Sequence, residues 1–235
     1  MTTLLPTQDK MKKLLVAAAT PFEIAPLLEH LEADFQKQPD GSFTKSQLEV
    51  RATVTGVGMA NTGIALGREL ALHRYDLAIN AGIAGAFNRS LQLGDVVCVV
   101  SECFADLGVE EADGTFTDVH ELGLVPHSLL PYQQGELRND NLAGFDFLPS
   151  CKGLTVNKIH GSQTSIAAIM RKYPADVESM EGAAFFLACL LSGTPFLEIR
   201  AISNYVEPRN REAWNLPLAI GNLNRVLVEM MALLQ

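Results

Sequence analysis

A few polar and glycine-rich positions in this chain stand where chemistry could be done. Glu23 follows the apolar run LLVAAATP, Met180-Glu181 closes the acidic segment VESME, and Ser203-Asn204 ends IRAISN. Two glycine-rich stretches, TGVG and AGIAGA, each follow an apolar run of their own. A carboxylate can accept two hydrogen bonds from neighbouring hydroxyls, which suits a vicinal diol, and a second carboxylate can deprotonate a water. Backbone beside glycine can approach a ligand closely. Taken singly, a glutamate in a first helical turn also favours the helix dipole. No Ser-His-Asp or Cys-His order stands out, and the histidines at 30, 73, 120, 127 and 160 fit no metal pattern. Each histidine alone reads as a surface or hydrogen-bonded core residue, and no metal is expected.

The elements that must position these residues follow from periodicity. Residues 14–19 form an unbroken apolar run, the pattern of a strand buried on both faces, and Ile24, Leu27, Leu28 and Leu31 then mark a helix. Glu23 falls at the handover. Residues 42–55 supply one or two strands, TGVG leads into a helix over 60–73, and LAIN is a strand followed by the AGIAGA turn. Residues 95–100 form a further strand, and 104–150 read as an irregular segment suited to a lid. A strand over 153–160 leads through Gly161 to Thr164 into a helix marked by Ile166, Ile169 and Met170. Ser179 can cap the next helix, Gly193 and Pro195 stop it, and a strand then runs to Asn204. After a charged turn, a terminal helix covers 218–234. The alternation predicts an α/β fold of three layers, αβα, around a mixed, largely parallel twisted sheet, with ligands at the strand ends. A loose leader over 1–11 and one domain over 12–235 are expected.

Composition narrows the class. The chain has 235 residues and a formal charge of −9, which argues against DNA or RNA as partner because their binding needs clustered Lys and Arg. Cys98, Cys103, Cys151 and Cys189 lack C-x-x-C spacing and read as reduced thiols in a cytoplasm. Lys12-Lys13 before LLVAAA imitates a secretory signal, yet Thr20-Pro21 and Glu23 end the run at once. No apolar stretch reaches about 18 residues, so no membrane span is predicted.

The order LLVAAATPFE, TGVG, INAGIAGA, VESMEGAA and IRAISN resembles the nucleoside phosphorylase and nucleosidase superfamily, most closely the methylthioadenosine nucleosidase branch and, within it, the futalosine hydrolases. The likeness runs from about residue 14 to the terminal helix and weakens across 104–150. It implies that Met180 and Glu181 hold the ribose, Glu181 taking the 2′- and 3′-hydroxyls, and that Glu23 activates the attacking water. Asn204 takes the base-facing position that is Asp in the methylthioadenosine enzymes, with Ser203 beside it. Ala84 and Gly85 match backbone contacts near the base. Thr164 falls where adenine-specific relatives stack an aromatic, and Ser179 where a further Glu is common. Phosphorylases of the superfamily use arginines for phosphate; here the first loop offers residues 20–23, the other arginine position is Asn80, and an expected serine is Ile83. Hydrolysis is therefore favoured.

An amide always has N–H donors for the N7 and O6 side of a 6-oxopurine, whereas a carboxylic acid suits adenine, so Asn204 points to hypoxanthine; unable to act as a general acid, it would take its catalytic part by stabilising the departing purine through hydrogen bonding. The resemblance thus implies hydrolysis of futalosine to hypoxanthine in an alternative menaquinone pathway, without organic cofactor or metal, by a homodimer or higher homo-oligomer. Its neighbouring subunit would help form the pocket for the 5′ group. Arg138, Arg209 and Arg211 are candidates for the substrate's carboxylate, and Arg200 reads as the buried partner of Glu198. The rivals are a methylthioadenosine or adenosylhomocysteine nucleosidase, a purine nucleoside phosphorylase, and a non-catalytic nucleoside-binding protein.

Overall fold

A computed structural model of the protein describes residues 11–142 and 144–235, so all of the expected leader except Met11 lies outside the described residues. The described residues form twelve strands: β1 (Lys12–Ala18), β2 (Gln36–Lys37), β3 (Phe43–Lys45), β4 (Leu48–Val54), β5 (Leu77–Ala86), β6 (Val96–Glu102), β7 (Gly108–Glu110), β8 (Phe116–Asp118), β9 (Leu137–Arg138), β10 (Ser150–Thr155), β11 (Val177–Ser179) and β12 (Phe196–Tyr205). Five helices alternate with them: α1 (Pro21–Asp34), α2 (Met59–Leu72), α3 (Gln163–Lys172), α4 (Gly182–Ser192) and α5 (Leu216–Leu234).

Ten strands share one mixed sheet in the order β11-β10-β6-β12-β5-β1-β4-β3-β2, with β9 beside β6. Its centre, β4-β1-β5-β12, is parallel. β11 also pairs antiparallel with the end of β5, Glu178 opposite Gly85. That pairing closes β5, β12, β6, β10 and β11 into a ring.

The continuous apolar run of β1 is explained by burial on both faces. Leu14, Val16 and Ala18 pack with Ile24 and Leu27 of α1 and Leu223 and Leu227 of α5. Leu15 and Ala17 join the opposite layer, with Leu66 and Leu70 of α2 and Phe185 and Phe186 of α4. Alternation along a strand sends successive side chains to opposite layers. The segment ending in α5, Arg211–Leu234, is the one described helix long and apolar enough to cross a membrane. Its Leu223, Leu227, Met230 and Met231 are instead buried in the core.

Pro26 sits inside α1 and lacks the N–H a helix interior uses. One residue on, the Leu27 N–H donates to Asn224 Oδ1 of α5 at 3.0 Å, and Asn224 Nδ2 donates to the Glu23 carbonyl at 2.8 Å. A regular helix would join that donor and acceptor to each other. Asn224 therefore fastens the turn that carries Glu23.

Three expectations are corrected by the structure. AGIAGA is no turn: β5 runs unbroken from Leu77 to Ala86 because β12 and β11 pair with it along this stretch. Ser179 ends a short strand, and Glu181 is the helix N-cap; the Ser179 hydroxyl accepts from Gly182 N–H at 3.3 Å. The 104–150 segment contains the β7–β8 hairpin and is tied down by Lys172 on the Phe116 carbonyl, by Tyr173 on Asp118, and by Asn139 on Phe196. Phe196 begins β12, at the end opposite Asn204, whereas Phe104 and Leu107 line the groove beside Met59.

Candidate active site

Glu23 occupies the third position of α1 and is buried. Its Oε2 accepts from the Thr20 N–H at 2.9 Å and the Thr20 hydroxyl at 3.0 Å, and its Oε1 accepts from the Ile83 N–H at 3.2 Å. With about two acceptor positions per oxygen, Oε2 is filled and Oε1 retains one. That remaining position borders Gly82. A Cβ there would lie 2.1 Å from Arg200 Nη1 and 2.9 Å from Glu23 Oε1. Glycine is thus required for the carboxylate and the guanidinium to meet over β5.

Arg200 is the hub that the sequence presented as a merely structural charge. It is 1% exposed; its Nε donates to Glu198 Oε1 at 2.7 Å, and its Nη2 lies 3.8 Å from Glu181 Oε2. Burial opposes the guanidinium's charge, but Glu198, Glu181 and Glu23 outweigh it and hold the arginine's pKa above its usual value. Glu181 is held on its other oxygen by the Gly58 N–H at 3.0 Å, so the TGVG turn serves as its backbone clamp. Glu198 and Glu102 lie deeper. Burial, followed by the Glu198 charge, raises Glu102 well above the carboxylate range, and its Oε2 accepts from the Thr155 hydroxyl at 2.8 Å. Burial also raises Glu198, against the pull of Arg200. The four cysteines are free, and burial pushes the Cys98 thiol up to about 12.

Asn204 sits beyond a bulge at Ile202 that shifts the β12 register on β5. A bulge re-aims the side chain that follows it. The Ser203 hydroxyl donates to Asn204 Oδ1 at 2.8 Å, and Asn204 Nδ2 donates to the Tyr205 carbonyl at 3.0 Å. Reversing the amide would set two carbonyl oxygens against each other, so its orientation is fixed and one N–H remains unused. Gly85 leaves room for it: a Cβ there would lie 3.1 Å from Asn204 Nδ2.

The structure joins Glu23, Ile83, Arg200, Glu181 and Gly58 in one chain of contacts, and places Ala84, Gly85, Ser203 and Asn204 farther along the same strands. Met180 adjoins Glu181 and is half-buried. Asn204 shares a small cavity with Ile159, His160, Glu178, Arg209 and Trp214. Thr164 is absent from that cavity; it is exposed on the first turn of α3, and Ile159 and His160 line the place instead. Arg209 lines it as well. Arg211 lies exposed in the turn that follows, and Arg138 sits on β9 opposite Ser101, 3.9 Å from Glu136 and away from Asn204. Among the described residues no cluster of His, Cys, Asp and Glu could hold a metal.

Sequence reasoning missed His160, Glu178 and Asn224. The faint signals were a carboxylate just before Met-Glu, a histidine before a Gly-Ser turn, and a polar residue on the apolar face of the terminal helix.

The sequence pattern of the phosphorylase superfamily matches residues 13–233. A futalosine hydrolase of Thermus thermophilus is 31% identical over 76% of this chain and 79% of its own. A 5′-methylthioadenosine/S-adenosylhomocysteine nucleosidase of Chromohalobacter salexigens is 27% identical over 83% of this chain and 85% of its own. The native structure of futalosine hydrolase from Helicobacter pylori superposes with a TM-score of 0.75 at 16% identity, covering 94% of this chain and 98% of that one. At that identity the superposition bears on the fold.

Proposed function

The chain belongs to the phosphorylase superfamily, and we propose that within it this purine nucleosidase hydrolyses futalosine, releasing hypoxanthine for an alternative route to menaquinone. The observation that carries the choice of base is the fixed amide of Asn204. Its Oδ1 is taken by Ser203 and one Nδ2 hydrogen by Tyr205, leaving an N–H donor. A 6-oxopurine offers acceptors at N7 and O6, whereas the 6-amino group of adenine would bring a donor toward that N–H. Similarity to the Thermus thermophilus futalosine hydrolase supports the same choice.

In this mechanism Glu181 holds the ribose diol and Glu23 receives a water at the open position of Oε1. The water faces Arg200, which steadies the developing negative oxygen. As the glycosidic bond lengthens, the sugar becomes an oxocarbenium-like cation, and the carboxylates around it favour that charge. Hydrolysis is supported over phosphorolysis because Arg200 stands among Glu198, Glu181 and Glu23, whose negative charges would repel a phosphate there. No arginine stands at Asn80 or in the loop before Glu23 to take a phosphate.

The domain over 12–235 acts as a homodimer in a reducing cytoplasm, in keeping with its four free thiols. The second copy covers the apolar groove of about 830 Å³ between α2 and α4, where Met59, Leu187 and Leu191 lie. Ile64 is 74% and Leu191 69% exposed nearby or within it. Met59 follows the Gly58 that clamps Glu181, so this face borders the ribose site. Leu191→Glu is expected to give a monomer by light scattering; an unchanged dimer would place the interface elsewhere.

One assay tests the activity. The protein is incubated with futalosine, inosine and methylthioadenosine, with and without phosphate, and the released base is identified. Hypoxanthine from futalosine without phosphate is expected. Preferential release of adenine, or strict dependence on phosphate with ribose 1-phosphate formed, would overturn the proposal.

A further inference from the structure

The cavity of Asn204 contains a proton carrier that the mechanism above leaves unused. His160 follows β10 and leans on β11: its backbone N–H donates to Glu178 Oε1 at 3.0 Å, and its ring Nδ1 is hydrogen-bonded to Glu178 Oε2. Glu178 is 4% exposed. An ionised carboxylate only accepts, so Nδ1 carries a hydrogen and Nε2 is the free ring nitrogen. The other ionisable groups among the described residues of this cavity are committed elsewhere. Tyr205 donates its hydroxyl to the Leu91 carbonyl at 2.9 Å, Glu207 pairs with Arg89 at 2.9 Å, and Arg209 lies over the Trp214 ring at 5.4 Å. An arginine does not give up its proton, and neither does the Asn204 amide.

We propose that His160, oriented by Glu178, is the general acid that protonates the departing purine. This rests on the nucleosidase activity proposed above and supplies the proton that Asn204 cannot. The C1′–N9 bond breaks with its electron pair passing to the purine, and Nε2 of the doubly protonated ring gives its proton to a purine nitrogen. Water adds its oxygen to C1′ and its proton to Glu23. Solvent then returns a proton from Glu23 to His160, so nothing else is consumed. A proton-transfer group held by a third, orienting group is a recurrent catalytic geometry.

The test compares two leaving groups in His160→Gln. Hypoxanthine leaves poorly as an anion and needs the proton, whereas nitrophenolate leaves without one. His160→Gln is expected to lower kcat on futalosine by about 10²- to 10⁴-fold while changing kcat on a nitrophenyl riboside by less than about threefold. The alkaline limb of the futalosine pH profile should vanish in the same variant. Retained nitrophenyl riboside cleavage shows that the variant is folded; if the wild-type protein ignores that substrate, the alkaline limb decides. Futalosine turnover within about threefold of wild type, or an alkaline limb that survives His160→Gln, would overturn the assignment. A wild-type protein that releases no base from futalosine would instead defeat the futalosine proposal beneath it.

Discussion

Four positions along β12, from Arg200 to Asn204, lead from one environment to another unlike it. Around Arg200, the groups are ions bound to one another: Glu198 and Glu181 touch it, Glu23 shares the space over Gly82, and Glu102 lies behind. Around Asn204 amide, hydroxyl and ring groups stand beside the single His160–Glu178 pair, with one amide N–H and one imidazole nitrogen left unused. Charges removed from water must be matched where they sit, so the first region is rigid and intolerant of change. The neutral donors and acceptors of Ser203, Asn204 and Tyr205 lose less on exchange, so that part of the second region can be retuned. The Arg200 end suits the sugar common to all nucleosides and the water that attacks it, and the Asn204 end suits the choice and release of the base.

The sharpest break of this contrast is Glu23→Gln. It should lower kcat by about 10²- to 10⁴-fold with little change in KM, measured by base release; an undiminished rate would remove Glu23 from the chemistry. Arg200→Met should cost about 3–5 kcal/mol in urea unfolding because it strands buried carboxylates. Adding Glu198→Gln should recover part of that loss, and no recovery would mean that the pair does not share its charge. Asn204→Asp sets a carboxylate oxygen against the Tyr205 carbonyl and should cost about 1–3 kcal/mol, yet move the ratio of hypoxanthine to adenine release toward adenine. An unchanged ratio would assign base choice to another residue.

The smallest effect is one of pH. Glu102 has its pKa raised in the folded protein, so the fold binds this proton more tightly than the unfolded chain does. The associated stability is complete below the ordinary carboxylate range and declines as pH rises toward the folded-state pKa. Glu102→Gln should therefore flatten the stability–pH curve over that interval. A curve parallel to wild type would show that Glu102 does not titrate there.

Glu23, Glu181 and Asn204 stood out as candidates because each is a polar residue at the boundary of an apolar run, a local signal. The three layers were legible for the same reason, since strand burial on both faces leaves an unbroken apolar segment such as LLVAA. Long-range partnerships were not. His160 looks like any isolated histidine until β11 brings Glu178 beside it, and Arg200 looks like half of one pair until Glu181 and Glu23 close around it. AGIAGA invited a turn because glycine is common in turns; here small residues make room for Arg200 and Asn204. Thr164 was misplaced by carrying a motif position through a loop whose length the sequence does not fix.

The joint between Pro26 and Asn224 makes two distant positions answerable to each other under mutation. With Pro26 present, Asn224→Leu strands the Leu27 N–H and should cost about 1–3 kcal/mol, with turnover falling as the Glu23 turn loosens. In a Pro26→Ala background, α1 can close its own ladder and the same substitution should be far milder. A double-mutant cycle by denaturant unfolding is expected to show a coupling of about 0.5–3 kcal/mol; additive effects would mean that the two positions vary independently. A change tolerated in one lineage of this sequence would then be harmful in another, depending on what occupies a site 198 positions away.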